Sequence, residues 1–228
     1  MLGTEPQAAG APTTQSRTPL GRAVGTFAWR FALCLAIVAA AAYRWGPVAA
    51  QWLLPLVAAQ IEAMDNTYRI VSLSVVTRGG EDLIRIVVTL ARCVVLPDGA
   101  HCSDPRAQAQ VSTLLGHLTL PPTLVVAAVL AWPPASWREL GWRLPWLVPG
   151  LAAVVALDVP MVLWGNLWRL HVDAFAPQLW SPLLMWVDFL QTGGRMALAL
   201  VCAGGVLSAA HAMSRRGQAH RQPPDQAR

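Results

Sequence analysis

Four apolar stretches, each bordered by tryptophan and arginine, constrain this chain more than any other feature of its sequence. They cover residues 27–46, 118–133, 144–165 and 190–212, and every tryptophan except Trp52 lies at or close to one of their ends. Indole rings concentrate at the boundary between membrane and water because they combine an apolar body with one N–H donor. About 20 apolar residues cross a hydrocarbon core of about 30 Å. The sequence therefore predicts an integral membrane protein.

The composition argues against a soluble globular domain. Of the 228 residues, 55% are hydrophobic and 13% are charged, and the mean hydropathy is +0.44. Soluble domains are less apolar and carry more charge. A net charge of +5 could suit nucleic-acid binding, but the arginines lie beside the apolar stretches instead of clustering with aromatic residues on a polar face. We therefore expect the lipid bilayer as a partner, and no nucleic acid.

The distribution of arginine decides whether the short second stretch crosses the membrane. This stretch has sixteen residues, and Pro121 and Pro122 suit the first turn of a helix better than its middle. With four spans, the tail after Met213, the 134–143 loop and the N-terminal tail share one side, and each carries more arginine than acid. With three spans, the arginine-rich C-terminal tail would lie outside. The positive-inside rule favours four spans with both termini cytoplasmic.

Two segments in the N-terminal part of the chain each allow two structural interpretations. The first apolar stretch resembles a signal-peptide core, but a long polar tail precedes it and it is longer than such a core, so we expect a retained helix. Residues 47–64 form a second apolar piece interrupted by Gln51, Pro55, Gln60 and Glu62. This piece either lengthens the first helix or lies on the outer surface as an interfacial helix, and the interfacial alternative is favoured.

Residues 65–117 contain the only segment with strand character. Residues 71–75 and 84–90 alternate apolar and polar side chains, which is typical of half-buried strands. The intervening residues 78–82, which include Gly79 and Gly80, suit a turn, so the pair predicts a β-hairpin. Residues 105–117 predict a helix that leads into the second span.

Cys93 and Cys102 flank a second turn in this segment. If the segment lies outside the cell, the compartment is oxidising and a disulfide between them is stable. The alternative is a metal site with His101, which is disfavoured because no fourth ligand is evident. Cys34 and Cys202 lie within apolar stretches, so we predict that they are reduced and have a packing role.

Three ionisable residues, Asp158, Asp188 and Arg195, lie in or beside the last two apolar stretches. An ionised side chain at a helix centre costs about 2.5–3.5 kcal/mol, so such residues usually face the bundle and find partners. Asp188 and Arg195 share a helix face but lie about 10 Å apart, and Asp158 would bridge the gap. We therefore predict one polar cluster in the outer leaflet. Its favoured role is a packing ion pair, and the alternative is a recognition site open to the outside.

Catalytic signatures are absent from the sequence. Catalysis by the two aspartates would resemble intramembrane aspartyl proteases, but neither local sequence has their Gly-x-Gly-Asp pattern. His171 and Asp173 form a His-x-Asp that is most simply a solvated loop. No zinc-protease, nucleophile-elbow, phosphate-loop or dinucleotide motif occurs. The sequence thus predicts no catalytic residue, no metal and no cofactor.

The order of the segments resembles that of small bacterial membrane proteins encoded beside exosortases, the enzymes that process C-terminal sorting signals. The resemblance rests on residues 85–90 followed by 113–121, which enter an Ala-, Val- and Leu-rich span, and it covers about residues 28–165. It implies one helix, an outer segment with strands and a helix hairpin in a bacterial inner membrane. The final helix with Gly193, Gly194 and Arg195 departs from that pattern. Exosortases resemble cysteine proteases with a Cys, Arg and His trio, which this chain does not offer, so the resemblance implies an accessory role.

Together these observations predict an all-α integral membrane protein with four transmembrane helices and a small extracytoplasmic β-hairpin segment. Its expected role is a non-enzymatic partner of another membrane or envelope component in export or surface-protein sorting. The alternative is a membrane-embedded enzyme or carrier that uses the outer-leaflet polar cluster. The expected divisions are disordered cytoplasmic tails at 1–25 and 214–228, a first transmembrane helix with an interfacial helix at 26–64, the extracytoplasmic hairpin at 65–117 and a three-helix transmembrane region at 118–213.

Overall fold

Helices dominate the computed structural model, which describes residues 19–96, 99–101 and 107–219. The elements follow in the order α1 (Pro19–Met64), β1 (Tyr68–Arg78), β2 (Glu81–Leu90), β3 (Val94–Leu96), β4 (Gly99–His101), β5 (Gln108–Leu114), α2 (Leu115–Ala131), α3 (Trp137–Leu157), α4 (Val159–Phe175), α5 (Pro182–Phe189), a π-helical turn (Leu190–Gly194) and α6 (Arg195–Ala219).

The helix α1 is one continuous element of 46 residues. At a rise of 1.5 Å per residue it is about 69 Å long, and Pro47 and Pro55 lie inside it. Residues 47–64 are therefore a continuation of α1, and the expectation of a separate interfacial helix is wrong. The physical reason is a buried face, since Ala50, Val57 and Ile61 recur at helical spacing and pack against other elements.

Three helical segments are long and apolar enough to cross a membrane. They are Val24–Met64, Trp137–Phe175 and Pro182–Arg216. The helix α2 is also apolar but has only 17 residues. Its side chains are buried on several sides, as at Val125, Ala127 and Val129, so neighbouring helices surround it.

Residues 27–46 of α1 together with α2, α3 and α6 form what we call the helical layer. At one end of this layer the Phe27 ring contacts the edge of Trp132, with centroids 5.5 Å apart. At the other end Gly46 lies against Thr119, where a Cβ would come within 3.2 Å of the threonine methyl. The helices α1 and α2 are therefore antiparallel. Val125, Val154 and Ala203, with other buried residues of α2, α3 and α6, form the core of the layer.

A second layer, the sheet layer, consists of the rest of α1 with the strands, α4 and α5. Its three-stranded sheet has the order β1-β2-β5 and is antiparallel throughout. The alternating residues Ile84, Ile86 and Val88 of β2 are buried. They share one core with residues of α1 and with Leu163 and Leu167 of α4, as expected for a sheet with one covered face.

The predicted hairpin of β1 and β2 is confirmed, and its strands are longer than expected. Gly79 and Gly80 have φ angles of 63° and 86°, which a two-residue hairpin turn between twisted strands requires. The helix expected at 105–117 is wrong, because Gln108–Leu114 forms the strand β5. Pairing with β2 places Ala109, Val111 and Thr113 on the covered side, so tertiary contacts outweigh local helix preference.

The ends of the chain differ in part from the predicted tails. The helix α1 begins at Pro19 and α6 continues to Ala219, so residues 19–25 and 214–219 are helical. The rest of both tails, 1–18 and 220–228, lies outside the described residues.

Candidate functional site

The chain breaks between α3 and α4 at Asp158. This break lies at the end of the helical layer nearest the three-stranded sheet. The φ and ψ angles of Asp158 are −100° and −87°, and Pro160 follows two residues later. Proline has no N–H, so the Ala156 carbonyl four residues earlier loses its helical donor. Gln60 Nε2 of α1 donates to Ala156 O at 2.8 Å instead. Trp186 Nε1 of α5 donates to Leu157 O at 3.0 Å. Side chains from two other helices therefore donate hydrogen bonds to the backbone carbonyls at the break.

A second break separates α5 from α6 at the π-helical turn. Gly193 has a φ angle of 111°, a conformation that side chains other than glycine rarely adopt. Thr192 Oγ1 donates to Asp188 O at 2.9 Å, which satisfies a carbonyl before the break. Both breaks thus have a local cause in sequence, and α6 begins with Arg195 directly after the second one.

An ion pair joins the two breaks. Arg195 Nε donates to Asp158 Oδ1 at 2.8 Å. Asp158 is 1% exposed and Arg195 is 8% exposed. In the described part of the chain, Asp158 Oδ2 and Arg195 Nη2 are buried without a hydrogen-bond partner. The two residues that the sequence analysis placed in one layer are therefore in direct contact, and each keeps one unused polar atom.

Asp188 does not join this cluster. Its Oδ1 accepts a hydrogen bond from Arg169 Nη2 of α4, and the Asp188 side chain is 59% exposed. The prediction of a single cluster of three residues is wrong for Asp188, because the helix α4 brings its own arginine to the α4–α5 contact. Arg169 was not singled out in the sequence analysis.

The Arg169–Asp188 ion pair joins α4 to α5, and the Asp158–Arg195 pair joins the start of α4 to the start of α6. Between them α4 approaches α5 closely at Gly165, where a Cβ would lie 2.4 Å from Val187 Cγ2. A residue larger than glycine would therefore need Val187 to move. This close approach requires a small residue at position 165, which the sequence pattern alone did not indicate.

His117, near the start of α2, is a further polar residue of this region. Its Nδ1 lies 2.9 Å from Thr113 Oγ1 of β5, and it is within electrostatic reach of Arg195. The side chain is half-buried and lines a groove beside α1. Sequence reasoning missed His117, since a lone histidine at the start of an apolar stretch carries no recognisable motif.

A second polar cluster lies at the opposite end of the helical layer. Ser136 Oγ accepts from Glu139 N, and Glu139 Oε2 accepts from Ala135 N, in the manner of a capping box at the start of α3. Arg143 Nη2 donates to Glu139 Oε1 at 2.7 Å. Arg143 Nη1 also donates to the Trp132 carbonyl just after α2. Arg143 and Glu139, which the sequence analysis counts among the charges of the 134–143 loop, are thus buried structural residues.

His171 has a neighbour that the sequence did not indicate. Its Nδ1 lies 3.1 Å from the Tyr68 hydroxyl and 3.0 Å from Leu167 O. Burial raises the pKa of the Tyr68 phenol above its usual range, and the Asp65 carboxylate raises it further. Tyr68 therefore stays protonated at physiological pH. These contacts join β1 to α4 and indicate a packing role for His171.

The predicted disulfide partly lies outside the described residues. Cys93 follows β2, but Cys102 is not among the residues that the structure describes. The pairing of Cys93 with Cys102 stays a prediction. Cys34 and Cys202 are free thiols on α1 and α6. Among the described ranges, no group of three or more His, Cys, Asp or Glu side chains could hold a metal ion.

The ionisable groups of the two clusters mainly contact one another instead of converging on a cavity. Two grooves lie on either side of the contact between α1 and α2, and each has a volume of about 550 Å³. One is apolar and open between α1 and α3, with Ala41, Ala49 and Ala152 on its walls. The chain has no significant match to a protein-family model, a curated protein or a solved structure.

Proposed function

We propose that this chain is a four-span membrane protein that binds another membrane or envelope component without catalysing a reaction. In this proposal residues 27–46, α2, α3 and α6 cross a bacterial inner membrane, both termini are cytoplasmic and the sheet layer lies outside. The partner belongs to protein export or surface-protein sorting. The assignment of the partner to export or sorting rests on the resemblance of segment order to exosortase-associated proteins.

Exposed tryptophans support a membrane boundary at the end of the helical layer away from the sheet. Trp29 is 70% exposed, Trp132 is 49% exposed and Trp137 is 88% exposed. These residues lie near the start of α1, after α2 and at the start of α3. Such large apolar rings are costly in water but suited to the interface of a bilayer. The 17 residues of α2 extend about 25 Å, which approaches the thickness of a hydrocarbon core.

The observation that carries the binding role is an exposed apolar patch on α5, which we call the α5 patch. Trp180, Pro182, Met185, Trp186 and Phe189 line it. Trp180 is 71% exposed and Met185 is 56% exposed. Contiguous exposed apolar patches usually mark contact with a protein or a membrane. The Trp186 hydrogen bond to Leu157 O fixes this patch to the end of α3, so contact there acts on a rigid part of the bundle.

The experiment that tests the binding role compares two exposed tryptophans at opposite ends of the molecule. Trp180→Ala alters the α5 patch, whereas Trp137→Ala is the matched control at the far end. The tagged full-length chain is isolated in mild detergent from its native cell, and associated membrane or envelope proteins are measured by quantitative mass spectrometry. We expect Trp180→Ala to lower the amount of partner about fivefold or more, since tryptophans are common binding hot spots, and Trp137→Ala to leave it unchanged. Absence of any reproducible partner from the unsubstituted chain would overturn the proposal.

A membrane-embedded enzyme or carrier is the second candidate function, and one observation favours it. Two interrupted helices meet at Asp158 and Arg195, which keep buried polar atoms without partners in the described part of the chain. Interrupted helices are common at binding sites of membrane transporters. For this candidate, Asp158→Asn would abolish the cellular phenotype while the protein accumulates normally. For the binding role, the same change would lower accumulation first.

A further inference from the structure

The groove on one side of the α1–α2 contact has an apolar floor and an acidic rim. We call it the rim groove. Ala39 and Tyr43 of α1 and Leu120 of α2 contribute to its floor, and Glu81 and Asp82 of the β1–β2 turn contribute to its rim. Its volume is about 550 Å³. An occupant must therefore match both an apolar surface and negative charge.

The floor of the rim groove continues a packing face of α1. Tyr43 precedes the buried residues Ala50, Val57 and Ile61 by 7, 14 and 18 positions, which are close to whole numbers of helical turns. The sheet and α4 cover this face at the later positions. At Tyr43, which is 90% exposed, no described residue covers it. The face of α1 that packs against the sheet and α4 thus continues to Tyr43, where it is exposed.

The rim is free to meet a cation. Asp82 Oδ1 accepts a hydrogen bond from Thr77 Oγ1, and Glu81 is exposed. Within the described ranges, neither carboxylate forms an ion pair. Arg78, which faces Glu81 across the turn, lines a separate cavity of about 140 Å³ together with Arg85. The rim groove therefore presents two carboxylates that form no ion pair within the described residues, above its apolar floor.

We propose that the rim groove docks the outer end of a partner's transmembrane helix that carries a lysine or arginine there. This inference rests on the proposed function, since it assigns the partner a second contact surface besides the α5 patch. A helix of 10 Å diameter that rises 1.5 Å per residue occupies roughly 120 Å³ per residue. The groove thus holds slightly more than one helical turn. One turn can bring its apolar side chains to the floor while a long cationic side chain reaches the rim.

Charge complementarity favours this occupant over an acyl chain. An acyl chain would match the floor but leave Glu81 and Asp82 without a counter-charge. A second copy of this protein would have to bring Arg44, near the outer end of residues 27–46 of its own α1, to the rim, and capture of that helix alone would overturn the proposal. The partner helix needs one basic residue within a turn of its outer end, which is a common position for snorkelling side chains.

A photo-crosslinking experiment in the native membrane tests this proposal. Tyr43→p-benzoylphenylalanine places the probe on the groove floor, and Val201→p-benzoylphenylalanine is the control on α6, where Val201 is 72% exposed. After illumination, the crosslinked peptides are mapped by mass spectrometry. We expect the Tyr43 probe alone to capture a transmembrane segment with Lys or Arg within one turn of the crosslink. Glu81→Gln combined with Asp82→Asn preserves shape and should lower the yield about fivefold, as expected for an exposed ion pair.

A charge exchange completes the experiment. Glu81→Lys should lower the yield further, and replacing the mapped basic residue of the partner with Glu should restore it. The proposal is overturned if the probe at Tyr43 captures only lipid, only another copy of this chain or nothing, or if neutralising both carboxylates leaves the yield unchanged. In those cases a partner that still copurifies with the unsubstituted chain shows that the binding role stands and that only the rim groove was misassigned.

Discussion

Asp158 and Asp188 both pair with arginine, but their surroundings give the two pairs different energetic weight. The Asp158 side chain is 2% exposed and that of Asp188 is 59% exposed. Removal of one partner from a buried pair leaves an uncompensated charge in a medium of low polarity. Water replaces the lost partner of an exposed pair at little cost. The same chemical group therefore has a structural role at one position and a minor one at the other.

This contrast predicts different stabilities for two matched variants. Asp158→Ala should destabilise the folded protein by about 3–5 kcal/mol, because Arg195 stays buried without its partner. Asp188→Ala should cost about 1 kcal/mol or less. Thermal unfolding of the detergent-purified protein measures both. Equal losses for the two variants would contradict the assignment of Asp158–Arg195 as the buried pair.

The two interrupted helices are stabilised by contacts with other elements. Ala156 O lacks a helical donor because residue 160 is proline, and Gln60 of α1 supplies the hydrogen bond. In an apolar environment an unsatisfied carbonyl is costly, so a break persists only where a neighbour provides a donor. The break at Asp158 is therefore a property of the assembled helices as well as of the local sequence.

A double-mutant cycle tests this coupling between α1 and the break. Gln60→Leu should destabilise the protein by about 1–3 kcal/mol, because Ala156 O loses its donor. In a Pro160→Ala background the same change should cost less than about 0.5 kcal/mol, since the new N–H at position 160 can reach Ala156 O. The coupling energy from thermal unfolding is the readout. Additive effects would show that Gln60 does not compensate for the proline.

Close helix contact is tested by two glycines of α3. A Cβ at Gly150 would lie 2.5 Å from Val206 Cγ2 of α6, whereas a Cβ at Gly141 would have no neighbour within 4 Å. Gly150→Ala should therefore destabilise the protein by about 1–3 kcal/mol through overpacking. Gly141→Ala should be neutral or stabilising by up to about 1 kcal/mol, because alanine favours helix. A stabilising Gly150→Ala would mean that α3 and α6 are farther apart than described.

At the scale of the whole molecule, two layers share their helices. The helix α1 runs through both, and the breaks at Asp158 and Gly193 lie where the helical layer meets α4 and α5. Contacts made on the sheet layer are therefore connected to the helical layer through continuous or directly hydrogen-bonded backbone.

The proposed topology makes a prediction about the two sides of the membrane. Alkaline phosphatase fused after Gly80 should be active, and green fluorescent protein fused after Ala135 or Ala219 should fluoresce, because the first reporter works outside and the second inside. An active phosphatase fusion after Ala135 would place the α2–α3 connection outside and remove α2 as a span. Western blots of each fusion provide the control for expression.

Sequence alone determined the features that depend on local chemistry. Apolar length indicated the three long helices, period-two alternation with Gly79 and Gly80 predicted the β1–β2 hairpin, and the scarcity of charge singled out Asp158 and Arg195. Each of these signals lies within one segment, so no knowledge of its neighbours is needed.

Only the tertiary structure decided which segments meet. It assigned Gln108–Leu114 to a strand because β2 offers a partner, continued α1 through residues 47–64 because its face is covered, and paired Asp188 with Arg169 of α4. It also buried Arg143 at the end of α2. Hydrogen bonds and ion pairs between distant segments depend on distances that folding creates, and no local pattern of residues encodes those distances.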